Sequence, residues 1–347
     1  MKTIPTSKNN RLLAVDLGYS NVKVAYYNED GVLSFDKYIS AIAKVPDPLE
    51  PDNDILFQLG TDYYVIGSNA LNVPRSYQLN LEKFEDLEAA YPVWINYLLE
   101  KYQNKDNPFE HVIIGLSLAF KDRTDELLKT LNESLMVDKP DYFICLPQGL
   151  SCKVAYQEFG LNLRNDTSKS NKKLLNFMII DGGYLTIDVC TVLEGKASAG
   201  AAIGIPNTGV INISIALRDY LYKQFGMTIT LKEAQVIVDS GDGKFKKRGR
   251  EYDVHAEVDE FTRQYLINIL NLLEKNFPEE LDSGIEKILI VGGLSHFFRK
   301  FLGDQKFVKE VEKHFPVSFL AIPEYDGEFY NVVSYLRIAE NLLNKKQ

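Results

Sequence analysis

The sequence predicts an α/β protein of two related halves. Three observations predict it. A strand, an Asp-x-Gly step, a short polar turn and a second strand open the chain in LLAVDLGYSNVKVAYY, Leu12 to Tyr27. The same device returns in LLNFMIIDGGYLTIDVCTVLEG, Leu174 to Gly195. A third glycine step, Gly292-Gly293, follows the apolar strand of EKILIVGGLSHFF, Glu286 to Phe298. A two-fold echo points to two similar lobes rather than to a solenoid. The length, 347 residues, is too great for one ordinary core and fits two domains.

In chain order, Leu12 to Val15 reads as a buried strand, Val22 to Tyr27 as its hairpin partner and Leu33 to Ile42 as a third strand. KVPDPLEPDND, Lys44 to Asp54, is a loop rich in Pro and Asp. Ile55 to Gln58 and Tyr63 to Ile66 flank Gly60-Thr61-Asp62 as a hairpin. Apolar residues at helical spacing predict a helix over Leu87 to Tyr102, with Trp94 as its core anchor. A strand at His111 to Leu116, a helix at Asp122 to Leu135, a strand at Tyr142 to Leu146 and a short helix at Ser151 to Phe159 follow. The polar run NLRNDTSKSNKK, Asn162 to Lys173, marks a boundary loop.

After the second hairpin comes a Gly-rich approach, GAAIGIPNTGV, Gly200 to Val210. Helices are expected at Ile211 to Phe225, Leu231 to Gly241 and Tyr265 to Phe277. KFKKRGR, Lys244 to Arg250, reads as a solvated basic loop. An amphipathic helix, Tyr330 to Leu343, closes the chain.

Composition is that of a globular protein, 45% hydrophobic and 25% charged, with a formal net charge of -9. Duplex binding rests on neutralising phosphates with Lys and Arg, so this balance argues against direct nucleic-acid binding. No stretch approaches the roughly 18 apolar residues of a membrane span. The N-terminal MKTIPTSKNN lacks the apolar core of a signal peptide, so a cytoplasmic location is the expectation. Cys145, Cys152 and Cys190 have no paired-metal spacing and are expected to be buried free thiols. His111, His255, His296 and His314 are scattered and have no ligand spacing either.

Glycines in a turn expose backbone N–H groups and admit a close ligand. Successive N–H groups form a concavity suited to phosphate oxygens. One Asp-Gly turn is weak evidence, because it is also the commonest hairpin signal. Two such turns plus Gly292-Gly293 could surround a polyphosphate, with Lys23 reaching it and Asp16 and Asp181 acting through a divalent cation. Neither the GxxxxGK[ST] loop nor the GxGxxG fingerprint is present.

With these motifs in order, the chain resembles the actin, sugar-kinase and heat-shock ATPase superfamily. DLGYSNVK, Asp16 to Lys23, resembles its first phosphate loop, and LPQG, Leu146 to Gly149, its first connecting segment. DGGYLTIDV, Asp181 to Val189, resembles the second phosphate loop, VGG, Val291 to Gly293, the adenosine motif, and EFYNVVSYLRIA, Glu328 to Ala339, the second connecting helix. Within the superfamily it is most similar to the bacterial actin-like group typified by ParM, which segregates plasmids. The resemblance implies two actin-like, ribonuclease H-like α/β lobes with a nucleotide cleft between them. It implies a first lobe at 10–165 with an insertion at about 33–75, a second at 174–329 with an insertion at about 210–262, and a C-terminal helix, 330–347, that packs back on the first lobe.

The resemblance also implies roles. Asp16 and Asp181 would act on Mg²⁺ largely through its waters, and Gln148 would orient the attacking water. Gly18, Tyr19, Ser20, Asn21 and Lys23 would wrap the β- and γ-phosphates, completed by Gly182 and Gly183. Gly292 and Gly293 would lie against the adenosine, Glu233 would contact the ribose and Lys232 the adenine edge. Asp188 is read as a residue capping its turn or, less simply, as a base. The implied activity is slow, assembly-coupled ATP hydrolysis in head-to-tail cytoskeletal filaments, with GTP as an alternative nucleotide and a DNA-binding adaptor protein as a second partner. A small-molecule kinase of the sugar-kinase class and a non-polymerising ATP-binding adaptor are the alternatives.

Overall fold

The computed structural model describes residues 11–46, 56–103, 108–135, 142–161, 163, 176–282, 284–323 and 326–344. The chain forms two compact units, Met1–Lys169 with Glu328–Gln347, and Ser170–Gly327. The first unit holds β1 (Leu12–Leu17), β2 (Asn21–Tyr27), β3 (Leu33–Ile39), β4 (Ile42–Val45), β5 (Leu56–Leu59), β6 (Asp62–Ile66), α1 (Phe84–Tyr102), β7 (His111–Leu116), α2 (Thr124–Ser134), β8 (Phe143–Pro147) and α3 (Cys152–Phe159). The second holds β9 (Phe177–Gly182), β10 (Thr186–Leu193), β11 (Lys196–Pro206), α4 (Ile211–Phe225), α5 (Leu231–Ser240), β12 (Lys244–Lys247), β13 (Arg250–Asp253), α6 (His255–Asn276), α7 (Pro278–Asp282), β14 (Lys287–Gly292), α8 (Gly293–Phe301), α9 (Gln305–Val311) and β15 (Leu320–Ala321). The chain then returns to the first unit as α10 (Tyr330–Asn344).

The two main sheets have one topology. The first runs β3-β2-β1-β7-β8 and the second β11-β10-β9-β14-β15. In each, the first three strands in sequence form an antiparallel meander, and the last two add in parallel to its opening strand. All six residues of β1 are buried, which requires cover on both faces. That cover comes from α10, which lies against β1, β2 and β7, and from α1, which contacts β1. The second core joins β9, β10 and β14 to α4, α6 and α8 through Ile180, Val189, Leu217, Leu266, Ile290 and Phe298.

Local chemistry explains most boundaries. The third strand stops at Ile39, short of the expected Ile42, because Ser40 leaves the sheet. Its N–H goes to the Ser20 carbonyl at 2.9 Å and its hydroxyl to the Gly18 carbonyl at 2.5 Å. Ile42 then begins a separate small antiparallel sheet, β4-β6-β5, over its own core of Ala43, Val65 and Ala70. The expected helix at Asp122 begins at Thr124, after a 3₁₀ turn over Leu118–Arg123. Helix α5 starts with a capping box: Thr230 Oγ1 accepts from the Glu233 N–H, and the Glu233 carboxylate accepts from the Thr230 N–H at 2.7 Å. Helix α4 ends at Gly226, whose φ of 61° is left-handed.

Three further expectations are corrected. The approach at Gly200 to Val210 is mostly strand, since β11 runs to Pro206 in antiparallel register with β10. Its Ala/Gly content gives little β propensity, so pairing decides it. KFKKRGR is a hairpin, not a loop. Arg248 (φ 50°) and Gly249 (φ 76°) make its tight turn. The helix expected at Tyr265 begins at His255. Residues Asp47, Glu50, Asp52 and Asp54 of the acidic loop lie outside the described residues. Among the described residues no helix is long and apolar enough to cross a membrane.

Gly115 in β7 shows how tightly these layers meet. Tyr91 of α1 donates its hydroxyl to the Gly115 carbonyl at 2.7 Å, and the Tyr335 ring of α10 occupies the space where a Cβ would sit. Gly115→Ala should therefore cost about 1–3 kcal/mol of stability through overpacking. Urea unfolding of G115A and G115A/Y335L checks this. The smaller Leu should recover part of the loss, and an unchanged midpoint for G115A would show that α10 is free to yield.

Candidate functional site

Parallel strands end on the same side of a sheet, and in α/β folds that carboxyl edge is where ligands gather. In the first unit, β1, β7 and β8 are mutually parallel. Asp16 stands near the end of β1, and Gln148 follows the end of β8. The Gln148 N–H continues the ladder onto the Leu116 carbonyl at 2.9 Å, which fixes its backbone. Its side-chain Nε2 then donates to Asp16 Oδ1 at 2.5 Å. The hairpin register sets Lys23 opposite Asp16, and Lys23 Nζ lies 3.5 Å from Asp16 Oδ2. Asp16 is only 3% exposed, so these partners replace the water it has lost. An ionised carboxylate only accepts, so Gln148 must present its NH₂ to Asp16. Its Oε1 is then the atom oriented to accept from a water.

The turn beside Asp16 is closed by the Gly18 N–H donating to the Asn21 carbonyl at 3.0 Å. Asn21 Nδ2 donates to Ser20 Oγ at 3.1 Å. Ser40 clamps the turn from outside through the two bonds already described, and sequence patterning did not flag it. The Tyr19 side chain is buried, and burial pushes its phenol well above the usual value, with Asp86 and Glu85 adding to the shift.

The second unit repeats the arrangement. Asp181 and Gly182 end β9, and Gly292 ends the parallel β14 in register with Gly182. The Gly183 N–H donates to the Thr186 carbonyl at 2.9 Å, the counterpart of the Gly18 bond. The start of α4 closes over this turn: Val210 N–H donates to the Gly183 carbonyl at 3.1 Å and Ile211 N–H to the Tyr184 carbonyl at 2.9 Å. Gly292 has φ 70°, and a Cβ there would collide with the Asp181 carboxylate. A Cβ on Gly182 would collide with Leu294 of α8. These glycines thus serve close packing of strand, carboxylate and helix. Gly293 begins α8.

The sequence model of the family described as "Archaeal actin homologue MreB-like, C-terminal" matches residues 179–304. No curated protein matches the sequence. Among solved structures, the fold is similar to that of ParM in a 15-stranded filament from Clostridium botulinum, at TM-score 0.66 and 17% identity over 96% of this chain and 99% of that one. It is similar to the archaeal actin homologue Ta0583 in complex with ADP, at TM-score 0.67 and 17% identity over 95% and 99%. It is similar to Bacillus thuringiensis ParM with ATP, at TM-score 0.59 and 15% identity over 98% and 100%. The chain has the actin-like fold.

Within this actin-like chain, the first unit brings Asp16, Lys23 and Gln148 together beside Gly18 to Asn21. The second brings Asp181, Gly182, Gly183, Gly292 and Gly293 together. Lys232 and Glu233 lie on the first turn of α5. Burial lowers the Lys232 pKa. Glu233 spends one carboxylate oxygen on its capping box and sets the other 2.7 Å from Lys247 Nζ. Asp188 is 2% exposed inside β10 and stands directly across from Asp181, at the position that Lys23 holds relative to Asp16. Only strand register reveals that juxtaposition. Cys152 and Cys190 are buried, Cys145 is half-buried, all three are free, and burial pushes the Cys145 thiol up to about 11. His296 is an exposed residue of α8.

Removing one member of a buried ion pair strands the other. Lys23→Met should cost about 3 kcal/mol of unfolding free energy. The double variant D16N/K23M should recover most of it. Denaturant titration of D16N, K23M, D16N/K23M and the wild type checks this, and single losses that add up to the double loss would show that the pair contributes no net interaction.

Proposed function

We propose that the chain is an actin-like ATPase that binds ATP with Mg²⁺ and assembles into filaments. The observation that carries the reading is the Gln148–Asp16 hydrogen bond at the carboxyl edge of the first sheet. It leaves a water-orienting amide oxygen beside a buried carboxylate and the hairpin turn at Gly18 to Asn21. Solved relatives of the same fold with ATP and ADP, and one in a filament, support it.

In this reading the bound nucleotide and cation supply the transferable phosphoryl group and neutralise its charge. The protein's part is positioning. Asp16 and Asp181 would each accept hydrogen bonds from waters of a bound cation. The backbones of Gly18 to Asn21, with Gly182 and Gly183, donate to phosphate oxygens, and Lys23 adds a positive charge. Gln148 orients the attacking water but cannot deprotonate it, because an amide has no useful basicity near neutral pH. Hydrolysis is therefore slow until assembly completes the site. Gly292 and Gly293 pass the adenosine, and Lys232 and Glu233 take the base and ribose. For Glu233 this means leaving its ion pair with Lys247. GTP is the competing nucleotide, and plasmid segregation through a DNA-binding adaptor is the proposed cellular use.

A small-molecule kinase on this fold needs a free acidic base for the acceptor hydroxyl. Asp188, its candidate, is 2% exposed within β10 and as buried as Asp16, so an acceptor-dependent ADP-release assay separates this reading from the filament reading.

Assembly is head-to-tail, and the β12–β13 hairpin is the proposed basic contact. Its charge is more compensated than the run KFKKRGR suggests. Lys244 faces Asp253, Lys246 faces Glu251, and Lys247 pairs with Glu233. Arg248 and Arg250, at and beside the turn, carry the excess.

Asp16→Ala and Asp181→Ala should each lower Mg²⁺-dependent ATP hydrolysis by more than about tenfold. Gln148→Ala should slow phosphate release while leaving affinity nearly intact. Wild-type turnover in both Asp variants would end the site assignment. Light scattering and sedimentation with ATP should report filaments. Arg248→Ser with Arg250→Ser should raise the critical concentration and weaken its salt dependence. An unchanged critical concentration removes the hairpin from the contact, and absence of any polymer removes the filament reading.

A further inference from the structure

The turn that carries Gln148 is held from outside the sheet. After β8 the chain reverses at Gly149, φ 65°, and enters α3. Part of this turn is self-sufficient: Ser151 Oγ donates to the Pro147 carbonyl at 2.6 Å. The N–H groups of Leu150 to Val154 also find local carbonyls, whereas those of Gly149 and Ala155 turn to another helix. α10 supplies the acceptors for these two. Asn331, buried on its first turn, accepts the Gly149 N–H on Oδ1 at 3.0 Å. The same oxygen accepts the Cys152 thiol at 3.1 Å. One oxygen therefore spans the turn, binding on either side of Leu150 and Ser151. One helical turn later, Ser334 Oγ accepts the Ala155 N–H at 3.1 Å. At the other end of α3, the Tyr330 hydroxyl donates to the Gly160 carbonyl.

α10 is itself a fixed reference. It lies against β1, β2 and β7. Arg337 ties it down further, with Glu340 Oε2 at 2.8 Å and Glu158 Oε1 of α3 at 3.1 Å. Gln148 is thus located from two directions, by the ladder bond to Leu116 and by the Asn331 bond to the next residue.

We propose that Asn331 is a positioning residue for Gln148: its carboxamide oxygen fixes the Gly149 amide, and so the direction in which Gln148 meets Asp16 and the attacking water. The inference rests on the ATPase reading above. Asn331 touches neither nucleotide nor water in this scheme and acts only through the turn. Its Oδ1 accepts from both Gly149 and Cys152, an acceptor that a carboxylate keeps and an alanine removes.

The test uses full-length N331A, N331D, Q148A and the double variant Q148A/N331A. Nucleotide affinity, ATP turnover and amide hydrogen exchange of nucleotide-free protein are measured for each. N331A should lose about tenfold in turnover, with affinity within about threefold of wild type, the split expected when a group acts in the transition state alone. N331D should restore turnover to within about threefold, because it keeps the acceptor. The double variant should be no slower than Q148A, since residues that act through one another do not add. Exchange should quicken in N331A over the segment from Gln148 to Ala155 and stay at the wild-type rate elsewhere. The proposal is overturned by a double variant as slow as the product of the single effects, by affinity that falls together with turnover, or by quickened exchange throughout the first unit. Unchanged exchange at the turn also overturns it. A wild type without ATP turnover overturns the functional reading instead. Exchange in nucleotide-free protein separates that failure from a failure of Asn331 to hold the turn.

Discussion

A carboxylate at 3% exposure needs polar partners in place of water, and Asp16 organises the first unit around that requirement. Lys23 reaches it only because β1 and β2 pair in one register, with Asp16 opposite Lys23. A slip of one residue would turn Lys23 to the other face of the sheet. Gln148 reaches it only because β8 lies two strands away in parallel and its next residue continues onto Leu116. The Ser40 clamp, the tight Gly18 turn and the docking of α10 on α3 all hold parts of the same constellation. Few of these contacts are strong alone. Together they leave the carboxylate one geometry.

The second unit uses the same scaffold with the charge changed. Its sheet has the same order, its turn closes through the same glycine-to-carbonyl bond, and its carboxylate ends the same strand. Opposite that carboxylate stands Asp188 rather than a lysine. Like charges directly opposite each other on a sheet face are unfavourable. Duplication of a fold supplies geometry, and single substitutions at matched positions then divide the chemistry between the copies.

The glycines illustrate how one residue type answers two demands. Gly182 and Gly292 are expected from sequence as places where a ligand approaches the backbone. The structure gives each a packing reason as well, against Leu294 and against Asp181. A side chain at either position would displace strand, helix or carboxylate before any ligand arrived. Glu233 carries a similar double duty, as a helix cap and as the partner of Lys247.

The sequence by itself determined the repeat, the strand–turn–strand devices and the helices with strong periodicity. Each is written locally, in alternation, in helical spacing or in a glycine at a turn, as at Ile211 to Phe225, which the structure reproduces residue for residue. It also supplied Asp16, Lys23 and Gln148 as candidates, one motif at a time. It did not supply β11, whose small residues become a strand only by pairing with β10, nor the hairpin at Lys244, whose turn is Arg-Gly rather than Asn-Gly. Only the tertiary structure decided that Gln148 meets Asp16 across 132 positions of chain, that Asp188 faces Asp181, and that Asn331 holds Gly149 from a separation of 182. Register and helix docking set those contacts. The Gln148 and Asn331 contacts join segments distant in sequence, which no local pattern encodes, and the Asp181–Asp188 pairing is set by the register of one hairpin.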